Sequence, residues 1–174
     1  MKLILKKIII LITLFFVNSN LSADVPHYVD FKYILNQSTA GKKAQGMLKS
    51  KLDQGLKKLS EQEKGILKEE KQLISQKKLI KPDEYKNKVD TLRSKVLNLQ
   101  KERDKLLKTV SQQRLKARNE LLKNLNPIIS EYMQENQIRM VVDKKSILLA
   151  DQNLDITKQI IERLNKKLKS VKLN

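Results

Sequence analysis

The stretch QKKLIKPDEYKNKV, residues 76–89, lies near the middle of the 174-residue chain and decides its fold. On both sides the sequence is dense in Lys, Glu, Gln and Leu, a composition typical of long helices. Pro82 lacks an amide donor and disfavours helix at the residue before it, so a first helix is expected to end near Ile80. Pro is favoured at the first position of a helix, and Asp83 suits the positive end of a second one. The stretch therefore predicts a helical hairpin with its tip at residues 81–84.

The sequence flanking this turn has the apolar spacing of a coiled coil. Ser38 or Thr39 is a suitable N-cap for the first arm, and the Pro in NLNPII, residues 124–129, predicts a second break where the returning arm regains its starting level. The two arms then match in length, which favours a hairpin over residues 39–124 rather than a straight rod. Arg103 interrupts the stripes, which consist of Leu52, Leu59, Ile66, Leu73 and Ile80 before the turn and Tyr85, Val89, Leu92, Val96, Leu99, Leu106, Val110 and Ala117 after it.

Polar residues and glycines also interrupt the first arm. Its apolar seam includes Leu56, and Glu63, Glu70 and Lys77 occupy the positions after Leu56 that would complete it. Gly55 and Gly65 lie inside the helix, where each costs ~1 kcal/mol relative to Ala. Together these features favour an arm that bends, and tolerated defects in a rigid arm are the alternative.

The two ends of the chain are richer in β-branched residues. Runs at 25–31, 138–143 and 146–150 predict strands, and the short Lys144-Lys145 link allows the last two to form a hairpin. Asp155 is expected to cap a final helix whose Ile and Leu residues share one face.

The predicted fold is α+β and mainly α. A small β-rich body comes from residues 24–38 and 125–174, and the hairpin projects from it. Below ~70–80 residues a single core rarely supplies more than ~3–5 kcal/mol, and no Cys is present to add a disulfide. We therefore expect other copies of the chain to complete the body and close its strand edges.

Residues 1–23 have the pattern of an export signal. Three lysines precede the apolar run Ile8–Val17, which is too short for a comfortable membrane span. Ala23 offers a small residue for cleavage, so an exported mature chain is predicted to begin after it. An uncleaved N-terminal anchor is the alternative.

Positive charge is concentrated in the arms. Residues Lys42 to Lys123 contain 24 Lys and Arg against 11 Asp and Glu, a net charge of +13. A solvated surface is one interpretation, and attraction to anionic clients or lipid headgroups is another. Nucleic-acid binding would satisfy the charge, but aromatic residues for base stacking are scarce and export removes that partner. A structural spacer in the cell envelope would require an unbroken rod.

The sequence contains no recognisable catalytic or cofactor motif. His27 is the single histidine, there is no Cys, and no glycine-rich phosphate loop or metal-ligand cluster is found. We expect a binding protein that needs no cofactor or metal, rather than an enzyme.

Two stretches resemble the Skp/OmpH family of periplasmic chaperones: YVDFKYILNQSTAGKKAQ, residues 28–45, and IRMVVDKKSILLADQNLDITKQIIERLN, residues 138–165. The arms match that family only in period and charge. The resemblance implies a homotrimer whose three helical hairpins enclose a cavity for unfolded outer-membrane proteins, without ATP or enzymatic activity. Contacts with lipopolysaccharide are proposed for some members, but their basic motif does not match here residue by residue.

Side chains off the apolar stripes are the candidates for holding such clients. The alternative for each apolar candidate is that it widens the interface between the two arms. The apolar candidates are Leu67, Ile74, Leu97, Leu107 and Leu115, and the basic ones are Lys57, Lys64, Lys101 and Lys108.

Overall fold

A computed structural model describes residues 25–173 of the chain, so the predicted export signal at 1–23 lies outside the described residues. The described part is mainly helical, as the sequence predicts. Two very long helices are joined by a short turn, and shorter elements gather at their other end. In chain order the elements are β1 (His27–Val29), α1 (Phe31–Gln37), α2 (Thr39–Gln76), α3 (Pro82–Glu135), β2 (Val141–Asp143) and α4 (Thr157–Lys167), with 3-10 turns at Lys144–Ser146 and Gln152–Leu154.

Helices α2 and α3 lie side by side and antiparallel. Lys51 on α2 donates to Gln113 on α3 (3.0 Å), and Glu69 accepts from Lys95 (2.7 Å), so rising numbers on one helix meet falling numbers on the other. Most of the predicted apolar stripes lie at this contact and are buried or partly buried. Val96 is the exception, since it is 51% exposed. At its level the helices are joined by polar groups, Lys95 and Glu69, instead.

The turn between the long helices occupies residues 77–81. Helix α3 begins at Pro82, which confirms the predicted start, with Asp83 in its first turn. Helix α2 ends at Gln76, earlier than the expected Ile80. The amides of Leu79 and Ile80 both donate to the Gln76 carbonyl (2.8 and 3.2 Å), so these residues close the turn rather than extend the helix.

The second predicted break was wrong, because α3 passes through Asn124 and Pro127 and ends only at Glu135. Pro inside a helix removes one backbone hydrogen bond and costs ~3 kcal/mol. Leu125 and Ile128 flank Pro127 and are almost completely buried. Their burial in the core holds the helix together across the proline. The division of the chain into an arm of residues 39–124 and a body of 24–38 and 125–174 stays a prediction.

The hydrophobic core lies where the base of the long helices meets the short elements. Its most buried side chains include Ile34 of α1, Leu125 of α3, and Ile160 and Leu164 of α4. The residues after α4 return to this core through Val171 and Leu173, and the Lys172 amide donates to Glu120 (3.2 Å). The core therefore joins residues from both ends of the described chain.

The body is mostly helical rather than β-rich. Strands β1 and β2 have three residues each and pair in parallel, with Tyr28 opposite Val142. The run 25–31 yields only β1, because Asp30 accepts a hydrogen bond from the Tyr33 amide (2.7 Å) and begins α1. Helix α1 was not predicted.

The predicted strand at Ser146–Ala150 is also absent. Asp143 accepts from the Lys145 amide (3.2 Å) and turns the chain into a 3-10 turn instead. Leu148 and Leu149 are 95% and 90% exposed, and the segment pairs with no strand in the described part of the chain.

The predicted capping residues of α2 and α4 agree better with the structure than the predicted strands do. Ser38 is the N-cap of α2, where its buried side chain accepts from the Gly41 amide (3.2 Å). Asp155 accepts from the Thr157 amide (2.9 Å) at the start of α4, although Ile156 intervenes as the cap residue. In the first turn of α2, residue 41 must be glycine, since a Cβ atom at this position would lie 1.9 Å from the Leu35 carbonyl oxygen.

Candidate functional site

The five apolar candidates all lie on the outer surfaces of α2 and α3. Each is 49–62% exposed, so none is buried between the two helices. In a single chain they do not widen the interface between the arms. They are Leu67, Ile74, Leu97, Leu107 and Leu115.

Helical spacing arranges these residues in stripes. At about 100° per residue, the 7-residue step from Leu67 to Ile74 places them within about 20° on one face of α2. On α3, the 18 residues between Leu97 and Leu115 correspond to five full turns, so these two share a face. Leu107 lies on a neighbouring face. Along the helix axes, Leu67 and Ile74 are about 10 Å apart and Leu97 and Leu115 about 27 Å apart, so each face carries separate apolar side chains at helical spacing.

The exposed apolar surface of the arms is larger than predicted. Met47, Leu56, Leu79 and Val96 are 51%, 41%, 82% and 51% exposed. Leu56 lies 11 residues before Leu67 and extends its stripe, since 11 residues return a helix to within about 20° of the same face. The seven-residue pattern predicts that Leu56 and Val96 lie in the apolar seam, and their exposure corrects that prediction.

The basic candidates flank these stripes, and all four are exposed. Lys64 lies three residues before Leu67, and Lys101 four residues after Leu97, which are the spacings of helical surface neighbours. Lys57 and Lys108 directly follow Leu56 and Leu107 in the sequence. Apolar and positive groups thus alternate along the arms.

Ion pairs join the two helices in the middle of the arms, and one of them unites two polar residues of the predicted seam, Glu63 and Arg103. Arg103 lies 3.5 Å from Glu63, and Lys95 lies 2.6 Å from Glu69. A cavity of about 260 Å³ separates the helices at this level, lined in part by Gln62 and Gly65. The Gln62 side-chain oxygen is buried and has no partner among the described residues. The distal half of the arm is therefore held by fewer apolar contacts than its base.

The two arm glycines differ. A Cβ atom at Gly55 would lie 2.5 Å from a methyl carbon of Leu106, so Gly55 admits a side chain of α3. Gly65 has open space around it. The interpretation that both glycines serve flexibility therefore fails for Gly55, whose small size is used in packing.

A second concave surface lies on the body. This body groove has a volume of about 960 Å³ and is lined by Tyr28, Lys144, Leu148, Leu149 and Ile161, among others. The Lys144 amino group lies 5.9 Å from the centre of the Tyr28 ring. The groove thus combines the two most exposed leucines with an aromatic and a basic side chain.

Candidate metal ligands are not clustered in the described part of the chain. Between residues 25 and 173, His, Asp and Glu side chains form no cluster of three that could hold a metal ion. The Nδ1 atom of His27 is buried and has no hydrogen-bond partner in that range. None of the helices described there has both the length and the hydropathy needed to cross a membrane.

Comparison with known proteins gives one family and one fold. The family described as "Outer membrane protein (OmpH-like)" matches residues 27–164. A crystal structure of a candidate outer membrane chaperone (OmpH-like) from Caulobacter crescentus CB15 has a similar fold, with a TM-score of 0.79 and 21% sequence identity. That match covers 90% of this chain and 94% of the other. No curated protein matches the sequence.

Proposed function

This chain belongs to the OmpH-like outer membrane protein family, and on that premise we propose that it is an ATP-independent holdase chaperone of the periplasm. It binds unfolded outer-membrane proteins between its helical arms and prevents their aggregation before membrane insertion. The observation that carries the proposal is the exposed apolar stripes on α2 and α3 with lysines beside them. Such a surface suits many unfolded chains and requires no fixed sequence.

Apolar contacts and positive charge contribute differently to client binding. Burial of apolar surface contributes ~25 cal/mol per Å², so Leu67, Ile74, Leu97 and Leu107 hold a bound client by many weak contacts. The net positive arms attract acidic clients from a distance, which acts mainly on the association rate. No bond is made or broken, and release needs only the loss of these contacts.

We also propose that three copies of the chain assemble through the body. Leu148 and Leu149 are almost fully exposed beside the body groove, and β2 has a free edge in a two-stranded sheet. Exposed apolar residues next to an unpaired strand edge favour pairing with another copy. Sedimentation of residues 24–174 should then give a trimer at micromolar concentration. A stable folded monomer would exclude this assembly.

The cellular placement rests on the family and on the sequence pattern at residues 1–23. We propose that this segment directs export and is removed after Ala23. Mass determination of the mature protein from the periplasm checks the cleavage position.

The alternative of an envelope spacer is weaker. A spacer needs one straight rod, whereas the chain turns at residues 77–81 and α3 lies back along α2. Binding of an anionic polymer such as lipopolysaccharide or nucleic acid would use the lysines but leave the apolar stripes without a role.

Stopped-flow capture of a labelled, urea-denatured outer-membrane β-barrel tests the function. Replacing Leu67, Ile74, Leu97 and Leu107 by Ser should speed client release with little change in capture rate. Replacing Lys57, Lys64, Lys101 and Lys108 by Gln should slow capture and flatten its salt dependence. Helicity is measured in both variants, because the serines also alter the helices.

The matched control removes the same charge away from the arms. Lys32, Lys166, Lys169 and Lys172 are exposed outside the two long helices, and their replacement by Gln should slow capture less. If both lysine variants slowed capture equally, the capture rate would depend on the net charge of the protein and not on the position of the lysines on the arms. Unchanged release from the serine variant would reject the apolar stripes as the holding surface.

A further inference from the structure

The chain after α4 forms an extended segment that lies against the base of α3. Residues 168–173, here called the tail, belong to no helix or strand, and Leu168 has an extended backbone (φ −129°, ψ 111°). Val171 and Leu173 are buried, whereas Lys172 between them is exposed. This alternation is the period of two that an extended chain shows when one of its faces is buried.

Two contacts show in which direction the tail runs. The Lys167 amino group at the end of α4 lies 3.6 Å from the Glu131 carboxylate, and the Lys172 amide donates to Glu120 (3.2 Å). The distance from Glu131 back to Glu120 is about 16 Å along the helix axis, and the chain from Lys167 to Lys172 spans a similar length at about 3.3 Å per extended residue. The tail therefore runs almost fully extended along α3, from the body toward the arms.

The base of α3 accepts the tail through contacts that do not depend on one exact sequence. Val171 and Leu173 join the core cluster that contains Ala117 and Leu121 of α3. The hydrogen bond to Glu120 comes from a backbone amide, which every residue except Pro offers. Other extended segments with apolar residues at alternate positions can make the same contacts. The surface around Ala117, Glu120 and Leu121 is here called the tail groove.

The strands of outer-membrane barrels share the pattern of the tail, because their lipid-facing and lumen-facing residues alternate. The tail groove also adjoins the proposed client-binding surface, since Leu115 lies about 8 Å from Glu120 along the axis of α3. The family match covers residues 27–164, so the tail lies outside the matched residues. It is a feature that this chain adds at the base of its arms.

We propose that the tail groove is a binding site for a strand segment of an unfolded outer-membrane protein, and that the tail occupies it until such a segment displaces it. The tail then acts as an internal competitor that covers apolar surface of α3 while no client is bound. The apparent affinity for a client segment falls with the fraction of molecules in which the groove is open. The inference rests on the proposed chaperone function and specifies the alternating pattern that a bound segment has.

A reversible lock on the tail provides the test, because the chain contains no Cys. In residues 24–174, Glu120→Cys and Lys172→Cys are joined by a short bis-methanethiosulfonate reagent, which a reductant removes. The probe is a fluorescein-labelled peptide in which Val alternates with Ser, and fluorescence anisotropy measures its affinity. The locked protein should bind this probe about tenfold more weakly than the reduced protein, because the groove cannot open. A peptide of the same composition with its Val residues consecutive should not respond to the lock.

A second lock is the matched control. Glu131→Cys and Lys167→Cys, joined by the same class of reagent, fix the end of α4 and leave the tail free, so probe affinity should stay unchanged. Val171→Ser with Leu173→Ser loosens the tail without any lock and should bind the probe more tightly than the native chain does. Circular dichroism of every form checks that the helices are intact.

Two results would overturn the proposal. They are equal affinity of the probe for the locked and the reduced protein, and equal weakening by the two locks. Capture of a urea-denatured outer-membrane β-barrel is measured in parallel with the native chain. Normal capture together with a probe affinity that ignores the tail lock would reject the tail groove alone, whereas absence of capture would reject the proposed chaperone function.

Discussion

Arg103 places its guanidinium 3.5 Å from the carboxylate of Glu63, across the contact between α2 and α3. Each residue interrupts an apolar stripe of its own helix, and the two interruptions meet. Both side chains remain 40–51% exposed, and exposed ion pairs typically contribute only ~0.2–1 kcal/mol. The pair therefore contributes more to the alignment of α2 against α3 than to the stability of their contact.

The first prediction concerns this pair. Glu63→Leu together with Arg103→Leu should raise the free energy of unfolding by about 1 kcal/mol, because apolar contact replaces a weak ion pair. Each single variant should be less stable than the double variant. Urea unfolding followed by circular dichroism at fixed protein concentration checks this. A double variant less stable than the native chain would show that the ion pair is worth more than its exposure suggests.

The second prediction contrasts two glycines near the start of α2. Gly46→Ala meets open space and should raise the free energy of unfolding by ~0.5–1 kcal/mol through helix propensity. Gly41→Ala should lower it by more than about 1 kcal/mol, because its Cβ would collide with the Leu35 carbonyl. Thermal unfolding of the two variants gives both signs. Stabilisation by Gly41→Ala would contradict the close packing of α1 against α2.

The third prediction separates core from surface on α3. Leu125 is fully buried, so Leu125→Ala should lower the free energy of unfolding by ~2–5 kcal/mol. Leu115 is 57% exposed, and Leu115→Ala should change it by less than about 0.5 kcal/mol. Denaturant unfolding measures both. A large loss at Leu115 would mean that this residue is covered in the assembled protein.

The fourth prediction concerns pH. The hydrogen bond from Arg163 lowers the pKa of the Glu135 carboxyl below its usual 4.5, an effect opposed by burial and aided by the Arg163 charge. A depressed folded-state pKa means that the pair stabilises the fold above the unfolded pKa and loses this effect as the pH falls through the folded one. Glu135→Gln should therefore be less stable than the native chain at pH 7, and the difference should vanish in acid.

Unfolding of both proteins across that pH range is the measurement. Glu131→Gln serves as the control, since the Glu131 carboxylate lies 3.6 Å from Lys167, farther than Glu135 lies from Arg163. Its effect at pH 7 should be smaller than that of Glu135→Gln. A stability difference for Glu135→Gln that persists unchanged in acid would exclude the carboxylate as its source.

The helical part of the fold follows closely from local sequence rules. Pro82 begins α3 and Ser38 caps α2, because both features depend only on neighbouring backbone groups. Most members of the apolar stripes lie at the contact between the arms for the same reason, since a seven-residue period fixes one face of a helix. The exposure of the candidate binding residues follows from their position off those stripes.

The failures arise where tertiary packing overrides local preference. Pro127 reads as a helix end, but burial of Leu125 and Ile128 on either side outweighs its cost. The segment 146–150 is rich in apolar residues but has no partner strand among residues 25–173. The continuous helix at Pro127 and the missing strand at 146–150 cannot be predicted from residue spacing alone. Each depends on which residues distant in sequence pack against the segment.

The continuity of α3 also has a mechanical meaning. Its 54 residues extend ~81 Å at 1.5 Å per residue, from the turn at residues 77–81 to within six residues of β2. With no joint at Pro127, the helix acts as a lever whose short end lies in the core. A sideways force at the far end is then multiplied at Leu125 and Ile128 and at the β1–β2 pairing. Pulling on the arm should thus load the base of the molecule before it bends the helix there.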